Sequence, residues 1–338
     1  MLKYWSLFII CFFLEYNLCQ AQITTEELKN HAARKAYSYE GWQQKPVFER
    51  ISAAPDILVD YLRKDNQLNG YPELPTSKKC DNLFMADLQG ALAELPEPVK
   101  KHIRNHLVGI FTVSNLGTTG YTEILYNFGV NRLGFIVLDI DYLERSANDW
   151  ATWKENSPFR SQGGYRVKAT IEAKESDNRR QAIQFILTHE IGHLVGAIHD
   201  VHPDWFTGGD PKDFAYSKIS WFKKGDKILS KYDRQFPLRS EIGYYRFEKS
   251  PMSSDRILEC YHQLNETDFS SLYAATNMWD DFAETYVIYV HAVIQKKPWE
   301  IDIFKGDTFV ESSDTCLLKE KGSVKKKFMD DFYRSLRP

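Results

Sequence analysis

Ile183-Gln184-Phe185-Ile186-Leu187-Thr188-His189-Glu190-Ile191-Gly192-His193 is the stretch on which the reading of this chain turns. Ile183, Ile186 and Leu187 recur at helical spacing, and no proline interrupts the run before Pro203, so the segment is expected to be a buried helix. Residues i and i+4 share a helix face, which puts His189 and His193 one turn apart, with ring nitrogens able to reach one tetrahedral ion at about 2.0–2.1 Å. Glu190 falls on the neighbouring edge, free to hold a water beside the metal instead of the metal itself. H-E-x-x-H on a helix is the pattern of a zinc-dependent hydrolytic site. With 9 His in 338 residues, and roughly half the acids taken as Glu, chance supplies about 0.016 such strings. The plainer alternative, two core histidines satisfied by backbone groups, is set against that figure.

The rest of the composition is that of an ordinary globular chain: 43 % apolar, 26 % charged, 14 % aromatic, net charge −3. This balance gives no electrostatic case for nucleic acid or an anionic membrane as partner. Lys325-Lys326-Lys327 reads as a solvated helix face. Residues 1–21 read as a signal peptide, with Lys3 in the positive region, an apolar stretch from Trp5 to Phe13, and Cys19-Gln20-Ala21 before the cleavage point. That stretch is too short to span a bilayer, and no later segment is long and apolar enough to do so. Cys19 raises lipid anchoring, but Tyr16-Asn17-Leu18 matches the small-residue box poorly, so a secreted or periplasmic chain is expected. Cys80, Cys260 and Cys316 then permit at most one disulfide.

Outward from the metal helix, residues 22–80 read as an N-terminal helical and loop region broken by Pro46, Pro55, Pro72 and Pro75, and residues 81–338 as the main domain. Helices are expected over Phe84–Leu95 and from Pro96 to about Leu107. Leu107–Val113, Tyr121–Tyr126 and Leu133–Ile140 are rich in Val, Ile, Phe and Tyr and predict strands of one sheet, with the third lying centrally or over the active helix. Ser157–Gly164 reads as a loop, Tyr165–Glu172 as a short strand, and the segment from His199 to about Arg256 as loops and short helices around a cleft. Trp205, Phe214, Trp221, Tyr244 and Tyr245 are its candidate aromatics, although core packing explains most such residues. Leu272–Ile294 is helical, and a loop and an amphipathic helix close the chain.

A catalytic zinc needs a third protein ligand and an open position. His199 is one candidate, because Gly196 and His199 complete H-E-x-x-H-x-x-G-x-x-H, the metzincin string, with Met252 a weak candidate for the methionine turn. The other lies downstream in Tyr273-Ala274-Ala275-Thr276-Asn277-Met278-Trp279-Asp280-Asp281-Phe282-Ala283-Glu284, where Asp280 and Glu284 share one helix face. One carboxylate could bind the metal while the other accepts the free N–H of a ligating histidine. Apolar Phe282, Ala283, Val287 and Ile288 around them argue that these acids are partly buried and need partners.

At these residues the chain resembles gluzincin-type peptidases, the group containing the Mlc titration factor A family and the catalytic domain of anthrax lethal factor. The resemblance rests on H-E-x-x-H followed by a distant Tyr-x-x-Thr-Asn-x-x-Glu-x-Phe-Ala string, and it covers the metal helix and Tyr273–Glu284 only. It implies His189, His193 and Asp280 as ligands of one Zn2+, Glu190 as general base, Tyr273 as oxyanion stabiliser and Glu284 as acceptor behind a ligand histidine. Asp280 stands where the family pattern has Glu. The shorter side chain requires its helix to approach the metal by about 1–1.5 Å more, and Glu284 reaching the metal itself is the other solution.

The expectation is therefore an α+β, zincin-like fold, with a small mixed sheet over the metal helix and a mostly helical C-terminal part. Its expected activity is hydrolysis of a protein or peptide substrate by a zinc-activated water. A metzincin using His199, and a catalytically silent binding protein on the same scaffold, are the rival readings.

Overall fold

The computed structural model describes residues 23–125, 132–160, 163–245, 251–319 and 323–336. The segment read as a signal peptide lies outside them, as do Tyr126 and Ser250.

Five strands make the main sheet: β1 (Ile51–Ala53), β2 (Thr76–Ser77), β3 (Leu107–Ser114), β4 (Gly120–Leu125) and β5 (Leu133–Asp139). The order is β1-β3-β5-β4, with β3 parallel to β1 and β5, β4 antiparallel to β5, and β2 antiparallel to β3. The nearly all-apolar β5 is interior, as its composition predicts for a strand buried on both faces. Its side chains alternate between two cores: Ile136 and Leu138 join the core around the metal helix, while Phe135 and Val137 join the one capped by residues of the N-terminal segment. The fold is α+β, and the sheet is covered on both faces. Residues 22–80 do not stand apart as helix and loop, because β1 and β2 complete the sheet.

On the N-terminal side, buried Arg34 pairs with buried Glu123 of β4 at 3.2 Å. Tyr61 and Tyr121 hydroxyls donate to the same carboxylate, and the guanidinium lies 3.7 Å over the Phe206 ring. A buried charge is costly unless paired and hydrogen-bonded, and this cluster fastens the first turns of the chain to the outer strand.

On the other face run the helices Asn82–Ala93, Glu97–His106, Ala147–Asn156 and the metal helix, Arg179–Ile198. Asn178 caps the last by accepting from the Gln181 N–H. Nearly every residue from Ala182 to Ala197 is buried, polar Gln184, Thr188, His189 and Glu190 included, so this helix runs through the core. A second sheet was not foreseen in full: Tyr165–Thr170 pairs with Glu300–Lys305, which pairs with Thr308–Ser313, all antiparallel. Among the described residues no helix is long and apolar enough to cross a membrane. Cys80, Cys260 and Cys316 are buried and free.

The final helix, Val324–Leu336, corrects the reading of its lysines. Lys325 is fully buried and its Nζ lies 2.6 Å from Oδ1 of buried Asp281, whose other oxygen accepts from Trp221 Nε1 at 2.8 Å. Burial lifts the Asp281 carboxyl above its ordinary range, and Lys325, Trp221 and Tyr216 oppose that rise. Removing one partner of such a pair costs about 3–5 kcal/mol. Lys325→Met is therefore expected to lower stability by about that amount in urea unfolding of the whole chain, with part recovered in Lys325→Met/Asp281→Asn. A single variant as stable as wild type would show that the pair does not pin this helix.

Candidate metal centre

The metal helix delivers His189 and His193 to one face, and Met278–Ile288 delivers the acids across from them. The two helices meet where neither carries bulk. A Cβ on Gly192 would lie 3.0 Å from the Ala283 Cα, a contact relieved only by moving one helix away by a few tenths of an ångström. This approach supplies what the shorter aspartate needs. Asn277 caps the second helix by accepting from the Trp279 and Asp280 amides, and its own amide donates to Asp280 Oδ2 at 2.6 Å. Oδ1 is thereby turned towards the histidines.

The three ligand atoms form a nearly equilateral triangle. Nε2 of His189 and Nε2 of His193 are 3.2 Å apart, and Asp280 Oδ1 lies 3.5 and 3.4 Å from them. Bonds of about 2.0–2.1 Å in a tetrahedron give ligand separations of about 3.3–3.4 Å. The donors thus form one face of a tetrahedron, and His189, His193 and Asp280 could hold a metal ion. His193 Nδ1, buried, has no hydrogen-bond partner among the described residues.

Behind the ligands, Glu284 is 1 % exposed and its Oε1 lies 3.0 Å from His189 Nδ1, on an approach that is not a well-aligned N–H···O bond. Glu284 sits where it can take that N–H, and it is not among the three converging donors. Lys154 Nζ donates to the same Oε1 at 2.9 Å, and Ser271 Oγ donates to Oε2 at 2.7 Å. Burial pushes the Glu284 carboxyl up, but Lys154, His189 and Ser271 outweigh it and hold it down at about 2. For the metal-free imidazole of His189, burial pulls the pKa down, while Asp280, Glu284 and Glu190 outweigh that and lift it to about 9.

Glu190 is 5 % exposed. Thr122 Oγ1, on β4, donates to its Oε2 at 2.7 Å, and a Cβ on Gly120 would lie 2.4 Å from its Oε1. Glycine at 120 therefore makes room for this carboxylate. The Tyr273 ring stacks beside His189 at 5.7 Å between centroids, under Lys154 Nζ at 4.7 Å. Burial, with Asp280 next, pushes the Tyr273 phenol well above its ordinary value, so it remains a donor. These groups line one cleft of about 650 Å³, together with Trp205, Tyr244 and Tyr245. Phe214 and Trp221 do not line it, and Trp221 is a core residue bonded to Asp281.

His199 is not at this centre. The helix continues unbroken to Ile198, which carries His199 about 9 Å further along the axis than His193 at 1.5 Å per residue. Gly196 does not turn the chain; a Cβ there would lie 2.6 Å from His202 Nε2 and 2.8 Å from Phe282 Cδ1. Met252 lies in a two-residue strand beside Phe159–Arg160. Lys154 was not singled out from the sequence, although Ala147, Trp150, Ala151 and Lys154 share one helical stripe and all four are buried. Thr122 and Asn277 carried no signal beyond residue type.

No protein-family model, curated protein or solved structure matches the chain.

Groups that orient a ligand histidine typically contribute 10–100-fold in metal affinity. Lys154→Met leaves Glu284 buried without its cation, and is expected to weaken Zn2+ binding at pH 7 by about that factor, read by competition with a chromogenic chelator. Unchanged affinity would exclude Lys154 from a role at the metal.

Proposed function

We propose that this chain is an exported zinc-dependent peptidase of gluzincin type on a zincin-like fold. The observation that carries the proposal is the tetrahedral spacing of His189 Nε2, His193 Nε2 and Asp280 Oδ1, with Glu190 beside it but outside the ligand set. Two histidines and a carboxylate suit zinc. Bound there, the ion would lower the pKa of a water towards 7 and polarise a carbonyl.

The chain's own residues supply the rest. Glu190, steadied through Oε2 by Thr122, takes the proton of the attacking water and returns it to the leaving amine. Tyr273, kept protonated by its surroundings, donates to the oxyanion that develops on the carbonyl oxygen. Glu284 and Lys154 fix the His189 ring from behind. An extended peptide suits this cleft, because Gly120, Tyr121 and Thr122 of β4 line it and β4 is the outer strand of its sheet. An outer strand offers backbone N–H and C=O groups for pairing with a further strand. Export rests on residues 1–21 of the sequence.

Glu190→Gln keeps the shape of the side chain and the ligands but removes the base. It is expected to retain wild-type zinc content and to lose about two or more orders of magnitude in the rate of peptide cleavage. Full activity in that variant contradicts the mechanism, and a zinc-loaded wild type that cleaves no peptide in a broad mixture favours the silent binding protein.

A further inference from the structure

His199, left over from the metal centre, has a different neighbour. Its Nε2 lies 2.9 Å from Nε2 of His102, on the helix Glu97–His106. His102 Nδ1 lies 2.9 Å from the Pro98 carbonyl, one turn earlier, and donates its proton there, leaving Nε2 as a bare lone pair. His106, at i+4 from His102, repeats the arrangement: its Nδ1 lies 2.9 Å from the Arg132 carbonyl, and its Nε2 has no partner among the described residues. The His102 and His106 rings are stacked with centroids 6.0 Å apart. All three histidines line a separate pocket of about 200 Å³, open to solvent, where His199 is exposed.

We propose that His102 and His199 form a second metal site, for a divalent late first-row transition ion that takes square-planar or tetragonal coordination, such as Ni2+ or Cu2+. Water completes the coordination and His106 stands one turn away as a further donor. A ring whose other N–H is committed to a backbone carbonyl is the usual state of a metal-binding histidine, because that bond fixes both tautomer and orientation. Two bonds of about 2.0–2.1 Å meeting at about 90°, the angle of square-planar or tetragonal coordination, place their donor atoms about 2.9 Å apart, the separation observed between the two Nε2 atoms. One His199 Nε2–H···Nε2 His102 hydrogen bond has the same length and accounts for two of the rings. It leaves His106, equally tied off at Nδ1 and facing the same pocket, without a role.

Lys101 also lines the pocket, and Asp200, next to His199, is neutralised by Arg132. Imidazole nitrogens with no carboxylate among the lining residues suit a late transition ion rather than Ca2+ or Mg2+, which take oxygen ligands. An ion here would tie the helix Glu97–His106 to the C-terminal end of the metal helix.

The test is equilibrium dialysis of the metal-stripped whole chain against Ni2+, and separately Cu2+, with bound metal counted per chain. Wild type is expected to bind two equivalents and His199→Gln one; because His199 is exposed, this variant keeps the fold. His189→Ala/His193→Ala is expected to retain one equivalent, which His199→Gln added to it abolishes, so the second site is read independently of the first. Equal metal content in wild type and His199→Gln, or no bound metal in His189→Ala/His193→Ala, overturns the proposal and leaves the hydrogen bond.

Discussion

The close contact of Gly192 with Ala283 is the constraint on which the rest of the centre depends. A Cβ on Gly192 would press the two helices apart by a few tenths of an ångström, and an aspartate at position 280 would then lie further from the histidine nitrogens. The contact brings the short Asp280 side chain within reach of both histidines. It also fixes what lies to either side: Gly196 admits His202 and Phe282 one turn further on, and Glu284, one turn after Asp280, arrives behind His189. The site is thus a property of helix packing, with the first turn of one helix set by its Asn277 cap and the middle of the other by the core.

Three buried ion pairs tie the surrounding elements to that packing. Arg34 and Glu123 hold the N-terminal segment on β4, Lys154 and Glu284 join the helix Ala147–Asn156 to the acid helix, and Lys325 and Asp281 bring in the C-terminal helix. A buried pair is weak evidence for net stability, since desolvation offsets most of the Coulomb gain, but losing one partner is costly. Such pairs therefore act as registration devices. Two of the three end on the helix that carries Asp280, at positions 281 and 284, so a shift of that helix along or about its axis would separate charges in the core.

Much of this was legible in the sequence where one residue type has one physical use. The H-E-x-x-H helix, the three strands from Leu107 onwards and the acidic pair on a downstream helix were all readable from periodicity and spacing, and the structure places them at Arg179–Ile198, β3 to β5 and Met278–Ile288. What was not legible depends on distant partners. Lys325 looks in sequence like its neighbours, the half-buried Lys326 and the exposed Lys327, and only Asp281, 44 residues away in the chain, explains its burial. His199 completes a well-known string, yet the string does not encode whether Gly196 turns the chain or admits Phe282. The hairpin of Glu300–Lys305 and Thr308–Ser313 did leave a local trace, with Ile301 and Ile303 alternating with charged residues before a turn at Gly306. Its outer strand is mostly exposed and so carries no matching apolar alternation.

The central claim is that Asp280, one methylene shorter than the residue in the gluzincin pattern, completes a metal site with His189 and His193. Bound zinc per chain in purified wild type, Asp280→Ala and Glu284→Ala, at equal free Zn2+ near the wild-type dissociation constant of this site, tests it most directly. The account predicts that Asp280→Ala empties this site, while Glu284→Ala binds more weakly but still fills as Zn2+ is raised. Full occupancy in Asp280→Ala, with loss in Glu284→Ala that no added Zn2+ restores, would contradict it and make Glu284 the third ligand.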